Sequence, residues 1–112
     1  MKVRTVSSPF GSTARTRVLL ALQLMGESYA RELARLLETS LSAIQKALQS
    51  LERDGLVAGR AVGRTRVYRL NPRGFARKEL ELYLERLLQS EVGLRAQVDG
   101  LRRRPRRTGK PL

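Results

Sequence analysis

The chain has 112 residues, enough for one domain with an extra element and too few for two full domains. It carries 23 Lys and Arg against 10 Asp and Glu, a formal net charge of +13, and contains neither Cys nor His. Those absences exclude the usual structural zinc ligands, thiol redox sensing, Cys and His nucleophiles and the commonest proton shuttle. The carboxylates of Glu27, Glu32, Glu38, Glu52, Glu79, Glu81, Glu85 and Glu91 are scattered over expected helix surfaces. Gly55, Gly59 and Gly63 stand singly, so no phosphate-cradling glycine loop exists. The expectation is a protein that is not an enzyme and uses no cofactor and no metal.

In chain order, residues 1–11 read as a flexible basic arm, broken by Ser7-Ser8-Pro9. Ser12 is the expected N-cap of a first helix running to Met25, with Gly26 as its stop. Val18, Leu19, Leu22 and Met25 form its apolar face and Leu20 and Leu24 a second side, so it lies between neighbours or contributes to a dimer. Ser28 is expected to cap a short second helix ending near Leu37, where Ala30 and Ala34 permit close crossing. Glu38-Thr39-Ser40 form a turn, and Thr39 or Ser40 caps a third helix that stops at Asp54-Gly55. Two short strands follow, Leu56 to Arg60 and Thr65 to Leu70, joined by the hairpin tip Ala61-Val62-Gly63-Arg64. Residues 12–71 thus make a helix-turn-helix with a hairpin, an arrangement suited to reading double-stranded DNA.

From Pro72 the pattern is helical to residue 102. Leu80, Leu84, Leu87, Leu94, Val98 and Leu101 follow an a/d seam in which Glu91 takes the one polar slot. Tyr83, Leu88 and Val92 widen that face. A helix of this length overruns a small core, so residues 72–102 are expected to dimerise the protein through Leu80, Leu84, Leu87, Leu94 and Val98. The alternative is that the helix folds back on the first helix of its own domain. Residues 103–112 have the composition of a disordered basic tail. The expected fold class is mainly α with a small β-hairpin, followed by a long C-terminal dimerisation helix.

The third helix carries two faces. Leu41, Ile44, Leu48 and Leu51 form one buried stripe. Ser42, Gln45, Lys46, Gln49 and Arg53 form another, hydrogen-bonding and almost free of acid, as a surface facing base edges and phosphates requires. A plain solvated helix face has the same look, and charge distinguishes the two. The positive excess lies in residues 1–17, 55–70 and 102–112, none of which holds an acid, while residues 18–54 and 71–101 are close to neutral. Such segregation points to a polyanion bound by phosphate neutralisation and counterion release. A membrane fits poorly: Arg102-Arg103-Arg104-Pro105-Arg106-Arg107 lacks opposing apolar residues, and the longest apolar run is Val18 to Leu22. The N-terminus lacks the apolar stretch of a secretory signal, so the expected compartment is the cytoplasm, in association with the nucleoid.

Five segments, Phe10-Gly11-Ser12, Ser28-Tyr29-Ala30-Arg31-Glu32-Leu33-Ala34, Leu41-Ser42-Ala43-Ile44-Gln45-Lys46-Ala47-Leu48, Leu51-Glu52-Arg53-Asp54-Gly55-Leu56-Val57 and Tyr68-Arg69-Leu70-Asn71-Pro72, carry a resemblance. In order and spacing they resemble a branch of the ArsR-like winged helix-turn-helix proteins. The resemblance implies a dimeric prokaryotic transcription regulator whose third helix enters the major groove and whose hairpin is the wing. Metal-sensing members use Cys and His ligands that this chain lacks, so metal response is not carried over. The long C-terminal helix and Arg-rich tail lie outside the shared pattern.

On this reading Ser42, Gln45, Lys46 and Gln49 are the base-edge candidates, with Gln suited to adenine and Lys to guanine or phosphate. Ser28, Tyr29, Ser40 and Arg53 are candidates for backbone contacts. Arg64 and Arg66 flank the wing tip, and one of them is expected in a narrow minor groove. Arg15 and Arg17 either touch DNA or surround the buried first helix. Three functions stay open: a sequence-specific regulator, most simply a repressor; an architectural coating protein; and a module binding another protein or RNA. The residues point to no effector ligand.

Overall fold

Helix α1 (Thr13–Met25) is central because its sequence leaves it no fully polar side. Val18, Leu19, Leu20, Ala21 and Leu22 are consecutive and all buried, which demands neighbours on every side. Helices α2 (Ala30–Leu37), α3 (Leu41–Arg53), α4 (Arg77–Leu88) and α5 (Val92–Arg103) supply them, all four packing on α1. Of the two expectations for α1, burial between neighbours is the one observed. The computed structural model describes residues 10–103. The expected tail, but for its first residue, and nearly all of the expected N-terminal arm lie outside the described residues.

Local signals set the ends of the first three helices as expected, with one exception. The Ser12 hydroxyl accepts the N–H of Arg15 at 3.1 Å, and Gly26 ends α1 with φ at 88°. The Ser40 hydroxyl, rather than that of Thr39, caps α3 by accepting the N–H of Ala43 at 3.2 Å. The exception is Ser28. The N-cap of α2 is Tyr29, which makes no side-chain capping bond, while Ser28 stands in a strand, β1 (Glu27–Tyr29). A three-residue strand has no periodicity to read. It forms because β3 (Thr65–Leu70) has a second edge to satisfy, and Ser28 pairs there with Tyr68.

The sheet is antiparallel in the order β1-β3-β2, with β2 spanning Val57–Val62. The hairpin is tighter than expected: Val62 pairs with Thr65, leaving the two-residue turn Gly63-Arg64 in place of a four-residue tip. Gly63 supplies the positive φ, 64°, that such a turn needs. Strand alternation then sorts the side chains. Val57, Tyr68 and Leu70 are buried against the helices, and Arg66, of the same parity as Tyr68, faces the same way, towards α3.

The single long C-terminal helix expected from Pro72 is corrected to two, of which the first starts only at Arg77. After Leu88 the chain turns at Gln89, Ser90 and Glu91, and α5 begins at Val92. The Ser90 hydroxyl donates to the carbonyl of Leu87 at 2.8 Å, a local alternative to continuing the helix. Packing makes the break favourable. An unbroken helix over 77–103 at about 1.5 Å per residue would be about 40 Å long, overrunning a molecule whose extents are 38 × 28 × 27 Å. Folded in two, both halves reach α1, and Leu84, Leu88, Leu94 and Val98 become buried in their own chain. Leu80 and Leu87 are half-buried at the edge of the same core. Of the expected dimer seam, Leu84, Leu94 and Val98 are therefore spent within the protomer, while Leu80 and Leu87 keep a half-exposed side. The fold is a mainly α winged helix-turn-helix with a small three-stranded sheet.

Candidate nucleic-acid interface

The inward stripe of α3 fixes its outward face. Ile44, Leu48 and Leu51 are fully buried, which leaves Ser42, Gln45, Lys46, Gln49 and Arg53 all exposed. Ser40, at the helix start, is exposed too, its hydroxyl already accepting one backbone N–H. Beside this face the start of α2 and the β2–β3 hairpin rise to form a groove of about 370 Å³. Tyr29, Arg31, Gln45, Gln49, Arg64 and Arg66 are among its lining residues. Three segments distant in sequence thus bring their polar side chains to one concave surface.

Arg31 is not among the candidates named from the sequence, although a signal for it exists. Leu33, Leu36 and Leu37 are buried positions of α2, and that phase turns Arg31 to solvent at the mouth of the groove. Ser28 moves the other way. It is only 3% exposed, and its hydroxyl donates to the Glu32 carboxylate at 2.6 Å. The expected backbone contact through Ser28 is corrected on that ground, since this hydroxyl is engaged inside the fold.

The basic residues divide by what they already touch. The Arg15 guanidinium donates to the Phe10 carbonyl at 2.6 Å, to the Ser50 hydroxyl, and to Asp54 at 2.9 Å. It ties α1 to the end of α3, which is the second of the two roles expected for it. Arg60 pairs with Glu27 at 3.0 Å across the sheet. Arg66 pairs with Glu52 of α3 at 2.8 Å, and that carboxylate raises the guanidinium's pKa above its ordinary value. By contrast, Arg31, Lys46, Arg53 and Arg64 are exposed and have no ion-pair partner among the described residues. None of the described residues lining the groove is acidic, and Glu52 of α3 is neutralised by Arg66. The surface is therefore positive, with amide and hydroxyl groups between its charges, and suits a polyanion with hydrogen-bonding edges.

Among the described residues no group of three or more His, Cys, Asp or Glu could hold a metal ion, and no helix is long and apolar enough to cross a membrane.

Residues 12–66 match the profile of the MarR family. Among solved structures, the chain is similar to reduced HlyU from Vibrio cholerae, with 34% identity and a TM-score of 0.56, over 68% of this chain and 77% of that one. It is similar in fold to the adhesin competence repressor AdcR of Streptococcus pyogenes, with 18% identity and a TM-score of 0.59, over 78% of this chain. The chain spans only 64% of that protein's length. A probable transcriptional regulator from Pseudomonas aeruginosa shares the fold at 24% identity and a TM-score of 0.55, covering 85% of this chain and 82% of its own. No curated protein sequence matches the chain. The profile match agrees with the geometry: residues 12–66 form a winged-helix domain of the MarR family.

Proposed function

We propose that this protein is a sequence-specific double-stranded DNA-binding transcription regulator, acting as a repressor by occluding a promoter. The observation that carries the reading is the exposed row Ser42, Gln45, Lys46 and Gln49 on α3, flanked by Arg31 and Arg64 that no acid of the described chain pairs. A major groove admits one helix, and Gln and Lys on its outer face match the hydrogen-bonding edges of adenine and guanine. Tyr29, Ser40, Arg31 and Arg53 serve the phosphate backbone, and Arg64, at the turn of the wing, the minor groove. Similarity to proteins described as a repressor and a probable transcriptional regulator supports the same class.

The finer assignments rest on the sequence. The five motif segments favour the ArsR-like branch and a prokaryotic, nucleoid-associated protein. Residues 103–112, rich in Arg, add phosphate affinity whatever the sequence beneath them. We assign dimerisation to the turn before α4, the outer side of α4 and the start of α5, where Phe75, Leu82 and Val92 are 97, 72 and 70% exposed. A partner that covered these side chains together would remove their apolar surface from water. A second copy would present two third helices to two half-sites.

The test is selection of bound duplexes from a random-sequence pool, followed by affinity for the recovered site against bulk DNA at several salt concentrations. A regulator keeps a large preference for its site, whereas equal affinity for every duplex identifies a coating protein. Failure to bind any duplex, with retention of RNA or protein ligands, would overturn the reading.

A further inference from the structure

Arg64 and Arg66 are equivalent in the sequence and opposite in the structure. Arg64 occupies the wing turn and reaches no acid among the described residues. Arg66 lies back across its own hairpin. Its guanidinium donates to Glu52 on α3 at 2.8 Å and to the Gly59 carbonyl at 3.4 Å, and sits 5.7 Å from the centre of the Tyr68 ring. Gly59 makes this seat. A Cβ at that position would lie 2.8 Å from Nε of Arg66 and 3.0 Å from Cε2 of Tyr68, so a side chain there would dislodge the guanidinium. Two further facts make the seat consequential. Glu52 is on the helix that presents Gln45 and Gln49, and Tyr68 is the buried anchor of the wing strand.

We propose that Arg66 is a positioning residue and not a DNA contact: through Glu52 and the Gly59 seat it fixes the angle between the wing and α3, so that Arg64 and the Gln45–Gln49 row meet their grooves as one rigid unit. The inference rests on the DNA-binding reading above and divides its two wing arginines by role. An exposed ion pair alone contributes little. Here an ion pair, a carbonyl, a ring face and a side-chain-free seat converge on one planar guanidinium, which is why a geometric role outweighs a stabilising one.

Two substitutions test this without removing Arg66. Glu52→Gln breaks the ion pair, and Gly59→Ala fills the seat and changes no charge. With the site selected by the wild-type protein, each should lower the preference for that site over random duplex by about tenfold, the scale of a single base-edge interaction. The slope of log affinity against log salt should stay unchanged, because the same phosphates remain neutralised. Arg64→Gln should instead lower that slope by about one. In the free protein, the amides of Val57–Leu70 should exchange with solvent faster in both variants than in the wild type. The proposal is overturned if Glu52→Gln tightens binding to every duplex while Arg66→Gln lowers the salt slope by about one, the signature of a phosphate-bound Arg66. It is equally overturned if hydrogen exchange in the wing is unchanged in both variants. Exchange needs no DNA, so a wild-type protein without site preference would sink the regulator reading and leave the brace separately judged.

Discussion

Hydroxyls and guanidinium groups of the same kind do different work here according to what faces them. Ser28 and Ser40 both precede helices, yet only Ser40 caps one; Ser28 bonds to Glu32 inside the fold. Replacing Ser40 with Ala should cost about 1 kcal/mol of stability, the ordinary loss for an N-cap, read by denaturant unfolding. At the proposed DNA surface, Gln45→Ala and Lys46→Ala should each cost about 1–3 kcal/mol on a selected site and much less on random duplex. A uniform loss on both would make them phosphate contacts. Arg31→Ala should behave in that uniform way, weakening all duplexes alike and lowering the salt slope by about one. The outward row of α3 was legible because a helix with a clear apolar stripe has only one way to turn. The face of Arg66 follows from its parity with Tyr68 in any register, but its partner Glu52, on another element, was not legible along the chain.

At the scale of elements, the C-terminal region separates periodicity from partnership. The seam of leucines announced a buried face but not whose core would bury it. Leu84 is 0% exposed against its own domain, so Leu84→Ala should cost about 2–5 kcal/mol of folding stability, measured by chemical denaturation. Leu82→Asp, at a site 72% exposed, should leave stability within about 0.5 kcal/mol while shifting sedimentation towards monomer. If Leu82→Asp and Phe75→Asp together leave a dimer intact at tens of micromolar protein, the dimer surface lies elsewhere. The strand β1 was not legible at all: three residues carry no pattern, and only the vacant edge of β3 makes Glu27–Tyr29 a strand.

Over the whole molecule, charge is the governing property. A chain of net charge +13 whose groove-side Arg31 and Arg64 lack acidic partners among the described residues should bind duplex DNA with a steep dependence on salt. Removing residues 104–112 should flatten the salt slope by about one unit for each phosphate that the tail had neutralised, with site preference kept. An unchanged slope would confine the electrostatic footprint to the wing, α3 and the start of α2. Because the chain has no His and no Cys, affinity should be flat between about pH 6 and 8, where His is the side chain that ordinarily titrates.

The amino-acid sequence by itself determined the first three helices and most of their caps, the turn glycines, the wing strands, the outward row of α3 and the segregation of charge, since each follows from local propensity, periodicity or counting. Tertiary structure decided what depends on distant partners. It paired β1 with β3, folded the C-terminal helix in two on α1, seated Arg66 against Glu52 and Gly59, brought Arg31 beside Gln45, and buried Ser28. In each case the competing arrangements were equally acceptable along the chain, and burial of apolar surface, with satisfaction of the groups buried beside it, chose between them.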